Sequence, residues 1–326
     1  MKLLSLVLVL IILLFVGYAV YMFFEPLDID EVIIEINEGE SASSIADKLC
    51  RNNVIRSKVW FKVYVMLTES ENKLQWGKYS FFEHLSLTEV IDKLKRGEVL
   101  LIDVTIPEGL TIRKTCKILA SKDLGEYDTF LELCTDSVFV RKLTGFSKPS
   151  LEGFLYPETY SFSEYTDERA IITYLVKKFF KETSGLDFVP NDLLDFYDTI
   201  VLASIVEKEA MVEDEKIVIA DVYLNRIENG YKLQADPTVA YILELQGKRR
   251  TKIYYRDLEV DSPYNTYKYK KLPPTPICNP AVSTIKAVLE PADTDYFFFF
   301  ANNRGRHIFS QTYSQHLSGL KKQRSK

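Results

Sequence analysis

Histidine is scarce in this chain and cysteine sparse, with three and four residues among 326. His84, His307 and His316 are too few and too scattered for a metal cluster. Cys50, Cys116, Cys134 and Cys278 lie far apart, without the C-x-x-C spacing of a zinc or redox site. They read as buried free thiols, although an oxidising compartment can pair some of them. A basic excess is also missing. The 41 Lys and Arg against 46 Asp and Glu leave a net charge of −5, the wrong sign for neutralising a phosphate backbone, so nucleic acid is not an expected partner. Gly-rich phosphate loops, the G-x-S-x-G elbow and the H-E-x-x-H helix are absent, and with them the usual signs of nucleotide, serine-hydrolase and zinc-protease chemistry. No cofactor or metal is expected. Only 13 Gly and 12 Pro beside 47% hydrophobic residues exclude a collagen-like or wholly disordered chain. The length suits about two folded domains.

What the sequence does have is one long apolar run. Leu3 to Phe24 carries no charge over 22 residues. As a helix it reaches roughly 33 Å, enough to cross a bilayer core of about 30 Å. It is longer than a signal-peptide core, and no small-x-small cleavage site stands at its end, so it reads as an uncleaved anchor. Lys2 precedes it, whereas Glu25, Asp28, Asp30 and Glu31 follow. The positive-inside bias then keeps residues 1–24 as a membrane anchor and puts the remainder outside the cytoplasm.

Beyond Pro26, Val32 to Ile36 reads as a strand, and Ser43 to Asn52 has helical periodicity through Ile45, Ala46 and Leu49. Gly77 to Phe82 is a second strand. Ser86-Leu87-Thr88-Glu89 is a capping box opening a helix through Leu94, with Gly97 at its C-cap. The Glu-Gly turn at Glu38-Gly39 recurs at Glu108-Gly109, again before a helical pattern (Ile112, Cys116, Leu119), which suggests two related units in a module spanning 25–125. That module has no obvious catalytic set and reads as a binding or spacing element.

The remainder, 126–326, reads as a helix-rich α+β domain. Helical patterns cover Asp192 to Ala210 and Glu215 to Glu228, and another follows Asp236-Pro237. Five prolines between Asp261 and Pro280 demand an irregular loop, a further helix begins at Pro280, and Tyr296 to Ala301 with His307 to Ser310 form a hairpin. His307 and His316 could meet across that hairpin.

Chemistry concentrates in Leu202 to Ala210. On a helix, Leu202, Ile205 and Val206 fall within about 60° of Glu209, whereas Glu207 lies about 160° round, toward expected solvent. The two carboxylates therefore cannot work as a pair. A glutamate on an apolar face loses hydration, which favours its neutral form and suits it to general acid work, although a frayed helix end reaching water explains the same spacing. Asp236 reads equally as an N-cap, Asn265 as a turn former and Glu158 as a loop carboxylate. Tyr264, Tyr267 and Tyr269 offer flat faces for sugar rings, while most of the 20 Tyr and 20 Phe belong to the core.

Several motifs in one order carry a resemblance. They are Glu152-Gly153-Phe154-Leu155-Tyr156-Pro157-Glu158-Thr159-Tyr160, Ala203 to Glu209, Asn225-Arg226, Leu233 to Thr238, Tyr264-Asn265-Thr266-Tyr267, Leu272-Pro273-Pro274 with Asn279-Pro280, and Gly305 to Ser310 before His316. From about residue 150 to the end the chain resembles the YceG-like (MltG) family of endolytic murein transglycosylases. The anchor and the first module are similar to that family in layout, the module being LysM-like. Thr275, where a glycine is usual, and Leu317, where an asparagine is common, depart from the pattern.

The resemblance implies that Glu209 is the catalytic acid and that Glu158, Gln234, Asp236, Asn265 and Tyr267 line the glycan cleft. It implies cleavage of the β-1,4 bond between N-acetylmuramic acid and N-acetylglucosamine inside peptidoglycan strands, leaving 1,6-anhydro ends and so ending or trimming nascent strands. Peptidoglycan strands are the expected partner, together with the inner membrane through residues 3–24 and proteins of cell-wall synthesis. A hydrolytic muramidase and a non-catalytic peptidoglycan-binding scaffold are the competing readings.

Overall fold

A computed structural model describes residues 2–188, 193–248 and 252–324. The chain divides into two compact units, Met1–Ile102 with Ser163–Tyr165, and Asp103–Phe162 with Thr166–Lys326. The division therefore falls near 102 rather than 125. The second Glu-Gly turn and its helix belong with the larger unit, because Gly109 N–H donates to the Asn279 carbonyl (2.9 Å) and Asn279 N–H to the Leu110 carbonyl (2.8 Å). Gly39 and Gly109 do adopt the same left-handed turn, with φ of 75° and 71°.

The first unit runs α1 (Lys2–Phe24), β1 (Leu27–Ile36), α2 (Ala42–Arg51), α3 (Lys58–Leu67), β2 (Gly77–Leu85) and α4 (Leu87–Arg96). Strands β1 and β2 pair antiparallel, with an irregularity between Ile29 and Val32. The alternation of β1 sends Ile34 and Ile36 inward to meet Ile45 and Leu49 of α2, Phe61 of α3 and Ile91 and Leu94 of α4. The capping box forms as expected: Ser86 and Glu89 exchange backbone and side-chain bonds, and Gly97 closes α4 at φ 64°. α3 is an addition to the expected elements: its Lys58 to Leu67 run lacks a clean polar face, and its N-cap residue Ser57 makes no side-chain cap bond.

The chain continues with β3 (Leu101–Thr105), α5 (Ile112–Ala120), α6 (Tyr127–Thr135), α7 (Ser137–Thr144), β4 (Thr159–Ser163), α8 (Glu168–Thr183), α9 (Phe196–Glu209), α10 (Lys216–Glu228), α11 (Asp236–Leu245), α12 (Val282–Leu289), β5 (Phe298–Ala301), β6 (His307–Ser310) and α13 (Tyr313–Arg324), all in the second unit except Leu101, Ile102 and Ser163 at the ends of β3 and β4. β3 pairs with β4, and β5 with β6 in an antiparallel hairpin. The expected helix start at Asp192 lies outside the described residues. α9 is the centre of the unit. It is buried continuously from Thr199 to Val206 and packs against α10, α11 and α12. A helix that is apolar all round belongs inside, so α9 is not the one-sided helix its Glu209 stripe suggested.

Two buried side chains fix the loops of this unit, one to each other and one to α9. Asn279 Oδ1 accepts from Gly153 N and Leu155 N, both at 3.0 Å, and its amide donates to the Leu110 carbonyl at 3.0 Å. Ser204 Oγ of α9 accepts from Ile277 N at 2.9 Å, pinning the Pro-rich loop. Gly153 must be glycine there, since φ is 91° and an added Cβ would come within 2.5 Å of Pro276. Only part of the aromatic excess is core, contrary to expectation: Phe154, Phe179 and Tyr197 are buried and pack with the partly buried Phe146 and Phe180, whereas Tyr174, Tyr231, Tyr255 and Tyr313 are among those left exposed. All four cysteines are free thiols, with Cys116, Cys134 and Cys278 buried.

Candidate active site

Glu209 is the last residue of α9, where the helix leaves the core. Its half-buried carboxyl accepts a hydrogen bond at Oε1 from the Tyr223 hydroxyl, 2.9 Å away on α10. Loss of hydration pushes its pKa up to about 7, against the Tyr223 bond, which favours the charged form; Asp236 nearby raises it further and Arg226 opposes. The helix does end at Glu209, but the carboxyl does not simply reach water, since it is half-buried and bonded by Tyr223.

Tyr223 and Arg226 are the residues that the sequence reading left without a role. They lie one helical turn apart on α10, both buried. Arg226 Nε donates to the Phe297 carbonyl at 2.6 Å and Nη1 to the Leu233 carbonyl at 2.5 Å, and its guanidinium sits 5.4 Å from the Phe298 ring. It thus joins α10, the segment leading into α11, and the hairpin around the acid. The Phe299 ring meets Tyr223 edge-on at 5.8 Å. The only available signal was Asn225-Arg226 two residues after Tyr223, too short a motif to assign a contact.

Asp236 opens α11 at its first position, with Ala235 as the N-cap, so it is not the cap expected. It is exposed, and its Oδ1 accepts from the Tyr267 hydroxyl at 2.5 Å. Gln234 is exposed in a left-handed conformation, φ 51°, fixed by its N–H bond to the Thr266 carbonyl at 3.1 Å. Asp236 and Tyr267 lie close enough to Glu209 to interact with it electrostatically, and Gln234 stands two residues before Asp236. Asn265 reaches this group only indirectly. It is fully buried, its amide donates to the Leu258 and Val260 carbonyls at 2.9 and 2.7 Å, and its Oδ1 accepts from Tyr267 N at 3.0 Å. Its side chain organises the loop that presents Tyr267.

Glu158 lies elsewhere, exposed and paired with Lys178 of α8 at 3.0 Å. The three loop tyrosines diverge: Tyr264 bonds Thr275 and packs on Tyr241, Tyr267 reaches Asp236, and Tyr269 bonds Asp261 in solvent. They do not form one flat wall.

Glu207 corrects another expectation. Its side chain is 9% exposed rather than solvent-facing; Oε2 accepts from Ala281 N at 3.1 Å and from the Thr284 hydroxyl, with Lys216 at 3.5 Å. It holds the start of α12 and takes no part with Glu209. The two histidines do not meet either. His307 shares one hairpin face with Phe299 and Phe309 and bonds Glu215 at 2.7 Å, whereas His316 packs against Phe298 and Phe300 on the other face.

A half-buried acid near neutrality, held by a tyrosine and near a second carboxylate, is a constellation suited to proton transfer. The match to the YceG-like family model spans residues 34–322. The chain belongs to the YceG-like family. It is 31% identical over 320 residues to the endolytic murein transglycosylase of Bacillus subtilis, covering 91% of this chain and 87% of that protein. It is 24% identical over 317 residues to the protein of the same name from Streptococcus pneumoniae, where the match takes in 57% of a longer relative. The yceG-like protein lmo1499 of Listeria monocytogenes has a similar structure, with a TM-score of 0.61 at 31% identity over 88% of this chain and 98% of that one. The apolar helix α1 accompanies the YceG-like region at the N-terminal side, long enough to cross a membrane.

Proposed function

We propose that this chain is a lytic transglycosylase that cuts peptidoglycan strands internally, anchored in the inner membrane by residues 3–24, with its working part outside the cytoplasm. The first unit, the LysM-like module of the sequence reading, serves to engage the strand. The observation that carries the catalytic reading is the Glu209 carboxyl, half-buried on Tyr223 with its pKa raised to about 7.

Protonated Glu209 donates to the glycosidic oxygen as the bond from muramic C1 breaks, and the N-acetylglucosamine end leaves with that proton. The carboxylate then takes the proton of the muramic 6-hydroxyl as its oxygen bonds C1, closing the 1,6-anhydro ring. The acid is regenerated and no water is consumed. The nucleophile is already tethered to the reacting sugar, which gives it an intramolecular advantage over water. Gln234, Asp236 and Tyr267 contact the glycan in this reading, Asn265 supports Tyr267, and Glu158 lies with Lys178 as an outer contact.

Asp236 favours a second reading, hydrolysis, because it is close enough to raise the Glu209 pKa, and retaining or inverting hydrolases use a second carboxylate. Its bond from Tyr267 holds one of its oxygens, which supports the transglycosylase reading. Product mass separates the two. Transglycosylation leaves muramic ends about 18 Da lighter than hydrolysis, by one water. Ordinary reducing ends, or oxygen-18 incorporated from labelled water, would overturn the proposal. The binding-scaffold reading is tested by Glu209→Gln, which should lower turnover about 100- to 10,000-fold while leaving strand binding intact. Absence of turnover in the wild type would instead favour the scaffold.

A further inference from the structure

A cavity of about 1140 Å³ in the second unit is lined by Lys208 and Pro237, the chain neighbours of Glu209 and Asp236, so that the end of α9 and the start of α11 serve both it and the candidate acid. One wall is the first turns of α5, and the facing wall is α11, which presents Pro237, Ala240, Tyr241 and Glu244 at i, i+3, i+4 and i+7. Its charge is opposite to that of the whole molecule. Arg113, Lys114, Lys117, Lys208, Lys248 and Lys252 face one carboxylate, Glu244, in a chain whose net charge is −5. Lys114 neutralises Glu244 at 2.8 Å, and Glu244 is further held by the Thr111 hydroxyl at 2.5 Å. Lys208 donates to the Gly109 carbonyl and Lys248 to the Gln246 amide oxygen. Among the described residues, no carboxylate pairs with Arg113, Lys117, Lys208, Lys248 or Lys252.

Gathering that many like charges around a void disfavours the empty state through mutual repulsion and favours an anionic occupant. The occupant must also suit an apolar wall, since Pro237, Ala240, Tyr241 and Ile277 line the same space. A compact phosphate would leave that wall unused. A short peptide bearing free carboxylates and small apolar side chains matches both, and the volume is ample for one, ligand pockets running about 300–1,000 Å³. Muramic acid carries such a peptide on its lactyl ether, on the sugar whose C1 Glu209 attacks under the proposed function.

Resting on that function, we propose that this basic cavity binds the carboxylate-bearing stem peptide of the strand being cut, so that the enzyme recognises peptide-substituted muramic residues. The experiment compares kcat/KM on peptide-bearing strands with kcat/KM on the same strands stripped by an amidase. The wild type should favour the peptide-bearing strands. Reversing two wall charges, Arg113→Glu with Lys117→Glu, should cut that preference at least tenfold, chiefly through KM, while Arg113→Lys with Lys117→Arg retains it. If the first pair of reversals fails to fold, Lys248→Glu with Lys252→Glu on the opposite rim reads the same ratio.

A wild type indifferent to the peptide overturns the assignment, as does a charge reversal that lowers both substrates equally or neither. Stripped strands with a lipid diphosphate end that keep the full advantage would make phosphate the occupant and overturn it too. Should neither substrate be cleaved by the wild type, the failure is that of the proposed function. Cleavage without preference condemns the cavity assignment alone.

Discussion

At neutral pH the Glu209 carboxyl stands close to half-protonated, since enclosure has lifted its pKa to about 7 from the ordinary value of 4.5. Only the protonated form can donate to a leaving oxygen, so kcat/KM should fall as pH rises through about 7, read from initial rates across pH 5 to 9. Tyr223→Phe removes the bond that favours the carboxylate, and the alkaline limb of the profile should then move to higher pH. An unmoved limb would mean that Tyr223 does not tune the acid. The same raised pKa makes the charged carboxyl a cost to folding. Its favourable contribution is complete below the unfolded value of 4.5 and is lost as pH climbs through about 7. Glu209→Gln should accordingly be at least as stable as wild type at pH 8, by thermal or denaturant melts, even while inactive. A loss of stability there would turn the activity result into a folding defect. The helical spacing separates Glu209 from Glu207, and the two carboxyls do bond different partners. It could not show that Glu207 is buried too, because the Thr284 and Ala281 partners that receive it come from more than seventy residues away.

Elements spelled by local chemistry were legible, and those decided by distant partners were not. α4 announces itself through Ser86, Glu89 and Gly97, all within its own length. α9 looks amphipathic by its residues near Glu209 but is surrounded by α10, α11 and α12, a burial that only the assembled unit reveals. The module boundary was placed near 125 for the same reason: the α5 turn resembles the first Glu-Gly turn locally, yet its bonds go to Asn279. Of the candidate site, Glu209, Asp236 and Tyr267 come together, Gln234 bonds Thr266 just before Asp236, Asn265 is the scaffold of its loop, and Glu158 is paired with Lys178. Glu152 extends the point. It is the first letter of a motif, buried, with oxygens accepting from Ile112 N at the start of α5 (2.9 Å) and from the Tyr241 hydroxyl of α11 (3.1 Å). It clamps the two helices that wall the basic cavity. Burial raises its pKa to about 8, so its contribution to stability is present in full below 4.5 and erodes as pH rises toward 8. Glu152→Gln, which mimics the neutral acid, should flatten that decline between pH 5 and 9. Glu152→Ala should lower stability at every pH, by about 1–3 kcal/mol for the abandoned buried partners. A Gln variant with the same pH slope as wild type would show that Glu152 is not the group responsible.

For the whole molecule, the question is how the first unit meets the membrane that α1 is proposed to cross. Only Glu25 and Pro26 separate α1 from β1, and Arg56 bonds both of their carbonyls at 2.6 Å while its guanidinium lies 5.2 Å from the Tyr21 ring. That junction is clamped rather than a free tether. Trp60 of α3 packs against Phe15, Tyr18 and Phe23 of α1, with centroids 6.0, 5.8 and 5.1 Å apart. Phe15 stands nine residues before the end of α1, about 13 Å along the axis. If α1 spans the bilayer, Trp60 must therefore lie at headgroup level or below, where tryptophan and tyrosine rings are favoured. Val59, Met66 and Leu67, exposed on the same helix, would face lipid rather than water. The chain has two tryptophans, and the other, Trp76, packs on Tyr165, so Trp76→Phe keeps a ring there and leaves Trp60 as the sole reporter. In vesicles with brominated acyl chains, Trp60 fluorescence of the full-length variant should be strongly quenched and its emission blue-shifted relative to a chain starting at Asp28. That shorter chain, with Trp60 uncovered, should also self-associate more than its Trp60→Gln counterpart. Emission indifferent to bromination would take α1 and α3 out of the bilayer, and the anchor reading would fall with it.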